Sequence, residues 1–534
     1  MSVPEITAVK LVVGLEVHIE LSCATKVFSR ALSPAHTGYA DTGPNTCIDP
    51  VVLGLPGALP VLNRRAVELS VQVGLALNCS IADVTRWDRK SYFYADMPKG
   101  YQISQYDRPL CFDGSIDIPS PLPSDQQKGG AVAVDHDALP KRIGIIRAHL
   151  EEDAGKLLHE APGGGAIDHS ILDLNRAGTA LLEVVTQPDF DTAEEAVVFC
   201  QTLRDICRFL GASEGVLQEG HMRFEPNINC HLTLNDGRLV KTPIVEVKNL
   251  NSFKAVRGAI EYERREQPQR WLKDGRVMGP GMKQTRSWDD HKNTTFVMRE
   301  KEDAHDYRYF PDPDLLPVAI DRPMVDTLRE RMPAMPLARL RRYVKQYSLT
   351  TKEAAALIDE RAVSDFFESA CDAAVAAGVA DSRSGKVIAN LLLQSGAKRA
   401  NERNAAASET EPVLISSLGI SPPSVGKLAA LREAGSVSAA GADELFGLLC
   451  ESANQNVDPQ ALAQQRGLLL VRDDSAIDGW VQQAIDANPQ AAADVRAGKE
   501  AAAGRIVGAA AKLAAGKADA AELRKRIMAA LGRG

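Results

Sequence analysis

No apolar run in the 534-residue chain approaches the roughly 18–20 residues that a membrane-spanning helix needs. The segment Met1 to Lys10 has neither the apolar core of a signal peptide nor the Arg/Ser bias of a transit peptide. Both absences predict a cytoplasmic protein with no membrane partner. The nine cysteines are odd in number, widely scattered and never spaced Cys-x-x-Cys. A disulfide framework is therefore not expected, and the pattern argues against zinc. There is no Gly-x-x-x-x-Gly-Lys-[Ser/Thr], so a nucleotide would not be held on a P-loop. His159-Glu160 lacks the second histidine of a zinc protease, and no Gly-x-Ser-x-Gly elbow occurs. Any chemistry must rest on carboxylates, histidines and basic residues.

Seventy acidic against 62 basic residues give a net charge of −8, which does not suggest a simple cationic nucleic-acid binder. The charge is unevenly spread. Residues 498–534 carry eight lysines and arginines against Glu500, Asp519 and Glu522, a local charge of +5 that suits contact with phosphates.

The length predicts more than one domain. Up to about residue 320, short alternating runs mix with Gly, Pro, Asp and Asn clusters, which predicts an α+β fold built on a largely antiparallel sheet. Val12 to Leu21 alternates and puts Glu16, His18 and Glu20 on one strand face. Arg142 to Asp153, Ala180 to Thr186, Asn227 to Leu234 and Ile244 to Lys248 also read as strands. Thr192-Ala193-Glu194-Glu195 reads as a capping box opening a helix that Gly211 stops, and Ser252 caps another through about Arg265. Alanine-rich helical patterns replace strands from 321, and a further shift near 466 marks a small tail. The expected organisation is 1–320, 321–466 and 467–534.

Carboxylates stand out in the first region. Glu16 and His18 share a face; so do Arg147, His149, Glu151 and Asp153, with Glu152 beside them. Glu183 interrupts the apolar strand Leu181 to Val185, where burial is costly unless a cation or donor meets it. A thiol-free set of carboxylates and a histidine suits a hard divalent cation such as Mg²⁺. Asp88 to Lys99 and Asp306 to Pro313 interleave cations with aromatic rings. On spacing alone, a metal-dependent phosphoesterase is the most the pattern supports, and a binding scaffold whose acidic patches are structural, without its own catalytic site, stays open.

Taken in order, these segments resemble one family. Gly14 to Leu21, Asp88 to Lys99, Tyr101 to Tyr106, Arg147 to Lys156, Asp173 to Gly178, Glu246 to Phe253 and Asp306 to Asp314 are similar to the GatB family, the B subunits of Asp/Glu-tRNA amidotransferases. The resemblance implies an antiparallel cradle holding ATP and Mg²⁺, then a helical domain and a tRNA-binding helical tail. It implies ATP-dependent phosphorylation of the side-chain carboxylate of Glu-tRNA(Gln) or Asp-tRNA(Asn), followed by amidation. The ammonia would come from a partner amidase, in a heterotrimer completed by a small third chain. Carried over to matching positions, Glu16, His18, Glu183 and Glu219 become the catalytic candidates. Glu16, His18, Glu183 and Glu151 or Glu152 become the metal ligands, with strand alternation favouring Glu151. Lys90, Lys99, Arg147 and Lys156 become the phosphate or substrate contacts. Where the family commonly reads Glu-Glu-Gly-Ser-Leu-Arg-Cys-Asp-Ala-Asn, this chain has Gln218 to Asn227, keeping Glu219, Gly220, Arg223 and Asn227 but placing Glu225 for Asp.

Overall fold

The structure, a computed structural model, describes residues 5–34, 42–122, 132–161, 164–300, 307–406, 413–454, 457–470, 474–514 and 518–532. Asp306 of the aromatic segment and the tail cations Lys517 and Arg533 lie outside them. The chain divides into two compact units, Met1–Met335 and Pro336–Gly534. No helix among the described residues is long and apolar enough to cross a membrane.

The first unit is built on a ten-stranded sheet. Its strands are β1 (Ile6–Glu20), β2 (Ser80–Ile81), β3 (Cys111–Ile118), β4 (Lys141–Glu152), β5 (Ala180–Thr186), β6 (Met222–Leu234), β7 (Leu239–Lys241), β8 (Val245–Lys248), β9 (Gln284–Asp289) and β10 (Thr294–Glu300). Their order is β10-β9-β8-β6-β1-β5-β4-β3-β2, with β7 added on β6. Every pairing is antiparallel except β8 with β9. Leu11, Val13, Leu15, Val17 and Ile19 alternate onto the core face of β1, where each is at most 3% exposed. Burying a side chain of this size contributes roughly 1.5–3 kcal/mol. Their partners include three helices, α1 (Arg64–Ala76), α2 (Ala193–Leu210) and α3 (Phe253–Asp274), which supply Leu69, Val197 and Ile260 to the same core. By strand alternation the opposite face of β1 carries Glu16, His18 and Glu20.

Local signals set the helix ends. The Thr192 hydroxyl accepts from the Glu195 amide at 3.2 Å, and Gly211 closes α2 in the left-handed conformation. The capping box is only half formed. The Glu195 carboxylate accepts instead from the Asp191 amide and from Lys141. From Ser252, α3 runs past the expected Arg265 to Asp274, carrying Pro268 and ending at left-handed Gly275. Tertiary packing holds that extension. Gln267, beside the proline, is buried, donates to the Ile228 carbonyl and accepts from Thr242.

The second unit is helical throughout its described residues apart from short connections and one isolated bridge. One apolar cluster gathers Tyr343, Phe367, Ile388, Leu428 and Phe446, and another gathers Val481, Val495, Ile506, Leu523 and Ile527. The helix Asp381–Asn390 passes into a π-helical turn at Leu391–Gly396.

One buried cation organises the loop that borders the sheet's polar face. Lys26 is fully buried, and its ammonium donates to the carbonyls of Leu174, Asn175 and Ala177. Gly178 follows at φ +79°, and a Cβ there would stand 3.3 Å from the Lys26 stem. Burial lowers the Lys26 pKa to about 8. Lys26→Met removes three charged hydrogen bonds and leaves their acceptors buried. It is expected to destabilise the first unit by about 2–4 kcal/mol, read as a lower urea midpoint.

Candidate active site

The register of four central strands assembles a row of ionisable groups on the polar face. His18 on β1 stands opposite Glu183 on β5 and opposite Arg223 on β6. Glu183 in turn stands opposite His149 on β4. One step along, Glu16 faces Glu225, while Asn227 faces Glu246 on β8. The apolar surroundings of Glu183 are thus compensated by histidines on both neighbouring strands.

Two carboxylate groupings result. His18, Glu151 and Glu183 form one, and Glu16, Glu225 and Glu246 the other; within each, one ligand atom per residue lies within 4.8 Å of the rest. In the first, Glu183 lies 3.3 Å from His18 Nε2 and 3.6 Å from His149 Nε2, and Glu151 lies 3.6 Å from His149. Ser104 donates to Glu151 at 2.8 Å. Burial opposes ionisation of Glu183, yet the charges of His149 and His18 hold its carboxyl well below the usual range. Burial also opposes charge on His18, but its bond to Glu183 raises it to about 9. Glu16 behaves oppositely: burial and the facing carboxylates of Glu183, Glu246 and Glu225 push it up. Asn227 donates to Glu16 at 3.0 Å, Lys248 to Glu225 at 2.5 Å and Thr285 to Glu246 at 3.0 Å.

These donors fit a hard divalent cation. They are carboxylate oxygens and an imidazole without thiols, and Glu16 is crowded by like charge. The buried Nδ1 atoms of His18 and His149 have no hydrogen-bond partner among the described residues, so that ring nitrogen remains open to a ligand while Nε2 meets the carboxylates.

The expected site residues do not all converge. His18, Glu151 and Glu183 come together, while Glu16 lies on the same face in the second grouping. Glu152 does not, because neighbouring strand residues point to opposite faces. Its carboxylate accepts from Lys99 at 2.5 and 2.6 Å and from the Ile103 amide at 2.8 Å. Lys99, expected to meet phosphate or substrate, is instead committed to Glu152. Lys90 and Arg147 flank the first grouping. Lys90 lies over the Tyr307 ring at 5.0 Å; burial opposes its charge, but Glu151 and Glu183 more than offset this and raise its pKa. The Arg147 Nε is buried without a hydrogen-bond partner among the described residues. Tyr106 stacks on Tyr309 at 4.4 Å, and Arg89 joins the Tyr307–Asp314 segment to this flank through Asp312 and Asp314.

On the other flank a cleft of about 870 Å³ opens, bordered by Lys156, Arg176, Glu219, Arg223, Glu225 and Lys248. Its volume is within the range of small-molecule sites. Glu219 sits at the rim on the turn Leu217–Glu219, exposed and 3.4 Å from His221, apart from both carboxylate groupings. Glu225 and Glu246 join the second grouping, and His149 lies beside the first, without having been singled out as ligands. Glu246 had carried a usable signal, a lone carboxylate in an apolar strand like Glu183. Glu225 becomes informative only once β6 is known to pair with β1.

Comparison with known proteins places the chain in a class and then in a family. Residues 11–326 match the family described as the GatB/GatE catalytic domain, and residues 365–531 match the GatB domain. The chain is 39% identical over 522 residues to the aspartyl/glutamyl-tRNA(Asn/Gln) amidotransferase B subunit of Thermomicrobium roseum, covering 97% of this chain and 98% of that one. It is 40% identical over 517 residues to the B subunit of Synechococcus elongatus, covering 97% and 96%. That of Rhodopirellula baltica is 38% identical over 505 residues, covering 94% and 93%. The chain belongs to the family of aspartyl/glutamyl-tRNA(Asn/Gln) amidotransferase B subunits.

The carboxylate geometry separates Glu151 from its neighbour in a measurable way. In Mn²⁺ titrations followed by electron paramagnetic resonance, Glu151→Gln and Glu183→Gln are each expected to weaken binding by at least roughly tenfold. Glu152→Gln should leave affinity within about twofold, since that carboxylate serves Lys99. Equal losses in all three variants would refute the assignment.

Proposed function

We propose that this chain is the phosphorylating component of a tRNA-dependent amidotransferase, acting on the side-chain carboxylate of Glu-tRNA(Gln), Asp-tRNA(Asn) or both. The observation that carries the reading is the pair of carboxylate groupings on one sheet face, between a cationic aromatic flank and a cleft with four basic residues. A carboxylate is a poor acyl donor because its leaving group would be oxide. Phosphorylation supplies a good one: a carboxylate oxygen attacks the γ-phosphorus of ATP, ADP leaves, and an acyl phosphate remains. Ammonia then attacks the acyl carbon, phosphate departs with the carbon–oxygen electron pair, and the amide nitrogen loses its excess proton.

Mg²⁺ held by His18, Glu151 and Glu183, or by Glu16, Glu225 and Glu246, would reduce repulsion between the two anionic reactants. The chain's own cations extend that role. Lys90 and Arg147 on one flank, and Lys156, Arg176, Arg223 and Lys248 on the other, offer positive charge to carboxylate and phosphates. The Tyr106–Tyr309 stack and Tyr307 form a wall beside Lys90, suited to excluding water from an acyl phosphate. The ammonia comes, in this reading, from a partner amidase in a cytoplasmic heterotrimer completed by a small third chain. The helical region after 466 contacts tRNA.

In the assembled complex, Glu183→Gln should reduce ATP-dependent transamidation by at least about 10³-fold with little change in tRNA binding. Unchanged transamidation would sink the role given to Glu183, and ATP turnover equally fast without aminoacyl-tRNA would point to a phosphoesterase. Deleting residues after 470 should weaken tRNA binding and flatten its salt dependence, because basic residues that release counterions are lost. An unaltered salt slope would rule out tail contact with phosphates.

A further inference from the structure

The cleft contains four basic residues, and their contacts divide them by task. Lys248 is neutralised by Glu225 at 2.5 Å, with Glu246 at 3.8 Å. Arg176 is tied to backbone, donating from Nε to the Ala154 carbonyl at 3.0 Å and from Nη2 to the Gly155 carbonyl at 2.8 Å. Lys156 stands exposed where the hairpin strand Lys156–Glu160 begins. Arg223 differs from all three. It occupies the same cross-strand row as His18 and Glu183, and so borders both the first carboxylate grouping and the cleft.

Its guanidinium is anchored chiefly by Asp153, with the charges of Glu20 and Glu225 adding to the attraction. Nη2 donates to Asp153 Oδ2 at 2.9 Å, the one side-chain hydrogen bond Arg223 donates among the described residues. Asp153 is well anchored. Its side chain is 6% exposed, Arg176 Nε lies 3.5 Å from the same oxygen, and its main chain bonds to Thr179 and Gly178 on both sides. Burial opposes its ionisation, but Arg176 and Arg223 hold the carboxyl below its usual range. A planar guanidinium pinned along one edge by a fixed carboxylate keeps further N–H donors for a second planar anion. The Arg223 side chain is 28% exposed, so those donors have access to the cleft.

We propose that Arg223, oriented by Asp153, is the group that binds the side-chain carboxylate of the aminoacyl substrate and presents it for phosphorylation. The ligand class is a carboxylate at the end of a short aliphatic chain, the feature shared by aspartyl and glutamyl esters. Asp153 is a positioning residue and does not touch the substrate. A lysine in place of Arg223 keeps the charge but loses the fork that fixes the plane of the carboxylate. The inference rests on the phosphorylation reading above.

The test uses the complete complex, misacylated tRNA and ATP, with KM measured for each substrate separately. Loss of a charge-assisted hydrogen-bonded fork predicts that Arg223→Lys raises KM for misacylated tRNA by roughly 10- to 100-fold while KM for ATP stays nearly constant. Asp153→Asn should produce the same bias in milder form. Guanidinium ion at millimolar concentration should restore part of the activity of Arg223→Ala, an effect that repair of a misfolded protein would not produce. A raised KM for ATP alone would assign Arg223 to phosphate and overturn the proposal. Unaltered constants in Arg223→Lys would overturn it as well. If the wild-type complex makes no acyl phosphate, the failure belongs to the phosphorylation reading.

Discussion

The polar face of the first unit depends on one register, that of β1 between β5 and β6. His18 meets Glu183 on one side and Arg223 on the other, and Glu16 meets Glu225. The same register buries Val17 and Ile19 in the helix-covered core. A slip of one residue would exchange the two faces, placing carboxylates in the core and apolar side chains in the cleft. The site's geometry is therefore secured by hydrophobic burial on the far side of the strand, not by attraction among its own groups, several of which repel one another.

That repulsion is compensated unevenly. Around Glu183, His18 and His149 supply positive charge and ionisation is favoured. Around Glu16, three carboxylates crowd a fourth, and Lys248 balances chiefly Glu225. One grouping is self-compensated while the other accumulates negative charge that a bound cation would relieve. Their proximity to Lys90 and Arg147 on one flank and to Arg223 on the other gives the face alternating bands of charge. Such an arrangement suits a reaction that joins two anions.

Much of the scaffold was legible because its signals are local. Alternation in Val12 to Leu21 marks β1, and Ala180 to Thr186 has the bounds of β5. Thr192 and Gly211 mark both ends of α2. Local signals fail where distant groups compete for the same atoms. The Glu195 carboxylate is drawn to Lys141 and the Asp191 amide, leaving half a capping box. Past Arg265, α3 continues through a proline because Gln267 is fastened to β6. Lys99 looked available for phosphate, yet it lies within hydrogen-bond reach of both oxygens of Glu152.

By itself the sequence determined the fold class, the family to which its ordered motifs belong, and a thiol-free set of carboxylates and histidines as the chemical inventory. Each follows from short-range information: periodicity, residue type and the order of blocks along the chain. Only the tertiary structure decided which members of that inventory meet. It put Glu151 in the cluster and gave Glu152 to Lys99, brought Glu225 and Glu246 to Glu16 from two other strands, and set Arg223 beside His18 with one edge on Asp153. Strand order and register govern those choices. They are settled by how the whole sheet buries its apolar face, an energy that no single segment contains.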